Sequence, residues 1–315
     1  MGGARAEGIY AGKPRSFCLP RDEARQNLFR PIAGPAIEFF TRLGIKWHHG
    51  CPGGLPSNHL CDSQVCCVNF LFPFTSRPEA LRRLLTPAFE GISAVLPMEC
   101  SGEYLTFEWI GLRNYLCERV ARSGKRTRGA NCTSADAAVL LENRSGAKHI
   151  VLIEWKYTES YPPTSLRFSR SGTDRTRIYS HLWHRDDFPL KKDLMPDFAS
   201  LFHEPFYQLF RLQCLAHEME KAGELGAERV SVLHICPRAN RDFARVTSPG
   251  LAGLGASVSE VWRNLVRDPS RFASVATEDL FGGFPARLPD DLGPWWAYLT
   301  QRYRWLSADA TTPPD

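Results

Sequence analysis

The sequence has no long hydrophobic run, no internal repeat and no large excess of charge of either sign. Its longest apolar stretch runs from Val65 to Phe74 and is interrupted by Asn69 and Pro73. That is far short of the roughly 20 residues a membrane helix needs, so no membrane partner is expected. Residues 1–16 hold Gly, Ala, Arg and Lys but no apolar segment, so no secretory leader is expected. A glycine follows Met1, but position 6 is Ala, and the myristoylation pattern fails. A cytoplasmic location is the expectation. The absence of a fixed period argues against a solenoid. A net charge of +5 over 315 residues permits a polyanionic partner without demanding one.

Ten cysteines are present, but no pair of C-x-x-C units. With no leader, reduced and often buried thiols are expected rather than a disulfide framework. The Cys/His-rich stretch holding His48, His49, Cys51, His59, Cys61, Cys66 and Cys67 leaves a structural zinc site open, although adjacent Cys66 and Cys67 cannot easily face one ion from a helix. A Cys–His nucleophile has no local signature in its favour.

What is present suits a globular chain: 43% hydrophobic and 23% charged residues, with length enough to bury a sizeable core. A short helix over 36–43 ends at Gly44, and 48–57 is a loop with three glycines and two prolines. Asp62-Ser63-Gln64 opens a helix through about 72, and Ser76 or Pro78 opens another through about 85. A strand is predicted over 104–110 and a short helix over 112–120. Five basic residues follow within 119–128, among them Arg126 and Arg128.

The clearest local structure is D-A-A-V-L-L-E (136–142), then Asn143-Arg144-Ser145-Gly146, then K-H-I-V-L-I-E-W-K-Y (148–157). Two apolar runs around a short Gly-containing loop predict a β-hairpin. Its strands are apolar on both faces, so a sheet covered on both sides is expected. Beyond it come an irregular insert (159–203), a helix over 204–222 with Pro205 in its first turn, and a strand over 229–236 stopped by Pro237. Helices near 258–266 and 294–305 follow.

Hairpin geometry turns three residues into a constellation. With the turn centred on Ser145, Asp136 falls opposite Glu154, and opposed residues share a face with Cβ atoms about 4.5–5.5 Å apart. Lys156, two residues further, projects from that same face. Two carboxylates this close repel unless a cation or shared proton intervenes. Mg²⁺ favours one or two carboxylates plus water and phosphate oxygens. On the residues alone, a salt-bridged sheet end accounts for the three charges about as well.

These words resemble the PD-(D/E)XK nuclease superfamily: S-A-D-A-A-V-L-L, then I-V-L-I-E-W-K-Y-T-E-S-Y. The predicted order over roughly 60–236 is that of its core: helix, three-stranded meander, helix, fourth strand. With W-H-H, P-S-N-H-L-C-D-S-Q-V-C-C-V-N-F and R-G-A-N-C-T-S-A-D, the whole chain is similar to a group of bacterial restriction-type endonucleases of that superfamily. Ala135 stands where the motif's name has Pro. The resemblance implies an α/β restriction-endonuclease-like core with a mixed central sheet flanked by helices. It implies Asp136, Glu154 and Lys156 as catalytic residues. Asp136, Glu154 and the Trp155 carbonyl would be ligands of Mg²⁺, with Mn²⁺ as a substitute. DNA is the expected substrate, and a homodimer is expected by analogy.

Gln64, Glu108 and Gln208 are auxiliary candidates; Glu108 as a solvated acid and Gln64 as a helix cap are the plain alternatives. Glu159, close behind the motif strand, is equally a loop acid. Gln208 and Arg211, three apart on one helix, share a face. Arg126, Arg128, Arg167, Arg170, Arg175 and Arg177 are candidates for phosphate, the last four interleaved with aromatic residues. The expected organisation is an arm over 1–60, the nuclease core over 61–240 with its insert, and a helical extension over 241–315. The competing function is a binding or scaffold protein that keeps the fold without the reaction.

Overall fold

The computed structural model describes residues 8–10, 12–118 and 124–306. It opens with a small hairpin, β1 (Gly8–Tyr10) and β2 (Lys13–Arg15). Helices α1 (Arg30–Arg42), α2 (Ser63–Leu71) and α3 (Pro78–Leu85) follow. Then come β3 (Ile92–Leu96), β4 (Leu105–Trp109), β5 (Ala135–Asn143) and β6 (Lys148–Trp155). The insert carries α4 (Thr176–Trp183), after which run α5 (Phe206–Lys221) and β7 (Arg229–Cys236). The chain continues through α6 (Val258–Leu265), β8 (Phe272–Ala276), α7 (Thr277–Gly282) and α8 (Gly293–Arg302).

Six strands form one mixed sheet in the order β3-β5-β6-β7-β8, with β4 also on β5. β3 pairs with Leu140–Asn143 and β4 with the Ala135–Val139 end, so the two share one edge of β5 end to end. β5 and β6 are antiparallel, with Ala137 opposite Ile153 and Glu142 opposite Lys148. β6, β7 and β8 are parallel. The fold is thus the expected α/β sheet flanked by helices.

Alternation along the central strands divides the core. Val139, Leu141, Val151, Ile153 and Trp155 pack towards α1, α2, α3 and α8. Ala138, Leu140, Ile150 and Leu152 pack towards α5, α6 and the insert. Both faces are therefore apolar because both are covered.

Several local expectations need correcting. α1 begins at Arg30, six residues early, and runs through Pro35. Its buried stripe of Ile32, Ala33, Ala36, Phe39 and Phe40 outweighs that interior proline. The described part of the predicted 112–120 helix consists of turns and bends, and residues 119–123 lie outside the described residues. The insert is not wholly irregular: α4 buries Tyr179 and Leu182. β3 and β8 were not predicted. β8 carries the sheet into residues assigned to a helical extension, past the boundary expected at 240.

Candidate active site

The hairpin register places Asp136 at the end of the β5–β6 ladder, directly beyond the Ala137–Ile153 pair. There its side chain takes over the ladder: the Trp155 N–H donates to Asp136 Oδ2 at 2.7 Å. On the far side of β6, Glu154 lies beside His234 of β7, and His234 beside Ser274 of β8. On the near side, the β4 register brings Glu108 alongside Asp136, between the pairs Phe107–Ala137 and Trp109–Ala135. Glu108, Asp136, Glu154 and His234 thus form one row across four strands. Glu108 adopts a left-handed φ of 50°, a costly conformation for a residue with a side chain.

Glu154 and Glu108 are each held by side-chain partners. Lys156 Nζ lies 2.6 Å from Glu154 Oε1 and donates to Gln208 Oε1 at 2.6 Å. Gln208 Nε2 in turn donates to the Tyr161 hydroxyl at 3.2 Å. Glu108, only 1% exposed, accepts from Gln64 Nε2 at 2.7 Å and from the Ser134 hydroxyl at 2.5 Å. His48 Nε2 stands 3.4 Å from Glu108 Oε1, and the His48 N–H donates to Gln64 Oε1 at 2.7 Å. Glu108 is therefore not solvated. Nor does Gln64 cap α2, because the Asp62 carboxylate takes the Val65 N–H at 2.9 Å.

Three carboxylates and one lysine leave this row electrostatically lopsided. Burial, and next the negative charge of Glu154, hold the Asp136 carboxyl well above the usual range; Glu108 adds to this while Lys156 opposes it. Burial likewise raises Glu108. Burial disfavours the Lys156 ammonium, but Glu154, with Tyr161, Glu159 and Asp136, more than offsets it and holds the ammonium charged. A divalent cation beside Asp136 and Glu154 would relieve the surplus, so these donors fit a hard ion chemically. Among the described residues no three His, Cys, Asp or Glu side chains gather into a metal shell. The two acids would therefore share an ion with main-chain or water oxygens. Trp155 could contribute only through its main chain, since its ring packs on the opposite face against Phe70 at 5.0 Å.

Glu108, Asp136, Glu154, Lys156 and Gln208 line a cavity of about 510 Å³. Arg211 of α5 enters it, donating to the Thr133 hydroxyl at 3.2 Å while its guanidinium covers the Tyr207 ring at 4.6 Å. Its Nε is buried without a hydrogen-bond partner. Glu159 and Tyr161 line the cavity too.

The remaining candidates lie elsewhere or are engaged. Arg126 donates to the Ile110 and Gly111 carbonyls at 2.7 and 2.9 Å. Arg128 donates to the Phe107 carbonyl at 3.0 Å and pairs with Glu99 at 2.7 Å, clamping β4. Arg167, Arg170 and Arg177 are exposed on the insert, Arg167 paired with Asp174 at 3.2 Å. Arg175 is tied to the Leu166 carbonyl at 2.5 Å. The cysteine/histidine stretch disperses: Cys66 and Cys67 enter the core, His59 packs against Tyr10 and Phe17, and His48 and His49 line the cavity. His48, Ser134 and Tyr161 were not among the sequence candidates for the reaction; only the adjacency W-H-H hinted at the first.

Among the described residues no helix is long and apolar enough to cross a membrane. No curated protein and no solved structure matches the chain. A family model described as restriction endonuclease associating with ARP matches residues 3–304. With a sheet of the expected kind and a match over nearly its whole length, the chain belongs to this family of restriction endonucleases.

Proposed function

We propose that the protein is a divalent-metal-dependent endonuclease of PD-(D/E)XK type that hydrolyses phosphodiester bonds in DNA, in a restriction or defence setting. The observation that carries this reading is the pairing of Asp136 and Glu154 on adjacent strands with the buried Lys156 held against Glu154. Asp136 and Glu154 would hold Mg²⁺, or Mn²⁺ in its place, with the Trp155 carbonyl as a further donor. When bound, the ion supplies charge that polarises the phosphodiester and acidifies the attacking water.

The chain's own residues account for the rest. Trp155 N–H fixes the orientation of the Asp136 carboxylate. Gln208 and Glu154 fix the Lys156 ammonium, which stays charged and stabilises negative charge developing on the phosphate or orients the attacking water. Gln64 and Ser134 hold Glu108 at the edge of the row, where its charge adds to the attraction for a cation. The exposed Arg167, Arg170 and Arg177 are suited to phosphates outside the cleavage point.

The family description supports DNA over RNA, and it names ARP as the expected associate. A binding protein without the reaction is the competing reading; the presence of all three motif residues argues against it. Purified protein with Mg²⁺ or Mn²⁺ should cut DNA. Asp136→Asn and Lys156→Ala, each checked for folding by circular dichroism, should cut at least 100-fold more slowly, in line with general acid–base or electrostatic contributions of about 10²–10⁴. Absence of metal-stimulated cleavage of any nucleic acid, or a folded Lys156→Ala that cuts normally, refutes the proposal.

A further inference from the structure

A second cavity, of about 400 Å³, lies under the loop that follows α1. This is within the range of roughly 300–1,000 Å³ typical of ligand sites. Its wall is aromatic: Phe40 and Trp47 stack face to face, ring centroids 3.9 Å apart and planes 10° apart. Gly44 and Gly54 leave open space where a side chain would stand, and the exposed Lys46 borders the cavity.

The loop ties this cavity to the catalytic one. Gln64 Nε2 donates to the Lys46 carbonyl at 3.1 Å, and Gln64 Oε1 accepts the His48 N–H at 2.7 Å. The residues on both sides of Trp47 are thus pinned by the side chain that also holds Glu108 at 2.7 Å. His48 faces one cavity while Trp47 walls the other.

We propose that the Phe40–Trp47 cavity is a nucleobase pocket, which receives an unstacked base next to the phosphate cut at Asp136 and Glu154. The inference rests on the nuclease reading above and adds where the substrate's base goes. A flat π-wall and a bordering ammonium suit a base attached to a phosphate chain.

The test uses the full chain carrying Asp136→Asn, so that binding is measured without cutting. A DNA oligonucleotide carries 2-aminopurine at successive positions around the cleavage point mapped with the wild type. Quenching at one position beside that point is expected, from stacking on Trp47. An abasic nucleotide at that position should weaken binding about tenfold, within what stacking one base contributes. Thr41→Trp, on the exposed face of α1, fills the pocket and should weaken binding of the intact strand equally, with no further loss on the abasic strand. Trp47→Phe keeps a ring against Phe40 and should leave binding of the intact strand and the thermal midpoint near those of the parent. The proposal is overturned if the wild type cuts DNA yet no position is quenched, or if Thr41→Trp and the abasic site lose affinity independently. A protein that binds and cuts no nucleic acid overturns both this proposal and the nuclease reading; cleavage with an unused pocket overturns this one alone.

Discussion

Asp136 and Lys156 share one face of the hairpin, yet opposite responses to substitution are expected of them. Asp136 is a carboxylate crowded by Glu154 and Glu108. Asp136→Asn removes repulsion and leaves an oxygen for the Trp155 N–H, so the metal-free protein should melt at a higher temperature than the wild type. Mg²⁺ or Mn²⁺ should raise the wild-type midpoint by ligand linkage and leave that of Asp136→Asn nearly unchanged. Scanning calorimetry with and without metal checks both. Lys156→Ala instead strands Glu154, 6% exposed, without its cation. A loss of roughly 3–5 kcal/mol is expected, as for a broken buried ion pair, measured by denaturant unfolding. Away from this row, burial, with Arg229 and Arg271 nearby, pushes the His149 imidazole down from 6.5 to about 3. The folded state therefore keeps His149 neutral where the unfolded chain protonates it. Its contribution is fully present above pH 6.5 and is lost as pH falls towards about 3. Chemical denaturation at pH 7 and pH 4.5 should differ less in His149→Gln than in the wild type, by on the order of 2 kcal/mol.

Elements differ in how much of them was legible. The β5–β6 hairpin obeys two local rules, a Gly-containing turn and a period of two, so Asp136 opposite Glu154 followed from spacing alone. The α2 start was also legible, but its chemistry was not: Asp62 caps the helix, which frees Gln64 to bridge His48 and Glu108. Asp62→Ala should cost about 1 kcal/mol, the usual value of a lost cap. If Gln64 depends on that cap, cleavage should fall further than the fraction unfolded accounts for, which paired rate and melting measurements separate. β3 and β8 were hidden because five residues at a sheet edge carry too little pattern. α4 was hidden because its apolar residues are scattered among charged ones, and only packing on Phe202 and Phe210 gives Tyr179 its buried face.

At the scale of the molecule, the sheet separates two apolar layers, and the chain's ends close the layer away from the site. Trp295 of α8 donates from Nε1 to the Asn69 carbonyl at 2.7 Å, and Asn69 Nδ2 donates to the Tyr303 hydroxyl at 3.0 Å. Trp295→Ala should therefore cost roughly 3–5 kcal/mol, the range for emptying a buried aromatic site. Because α8 covers α2 from behind, the same change should lower the cleavage rate only through loss of folded protein, which activity per folded molecule measures.

Local pattern was enough for the hairpin, the face shared by Asp136, Glu154 and Lys156, and the α/β order around them. Those features depend on neighbours within about twenty positions and on fixed backbone periods. Long-range packing brings Glu108 into the row, sets Gln208 against Lys156, and stands Trp47 and His48 at two linked cavities. Each of these depends on segments distant in sequence meeting across the sheet, where burial and hydrogen-bond satisfaction choose the partner and no local pattern records the choice.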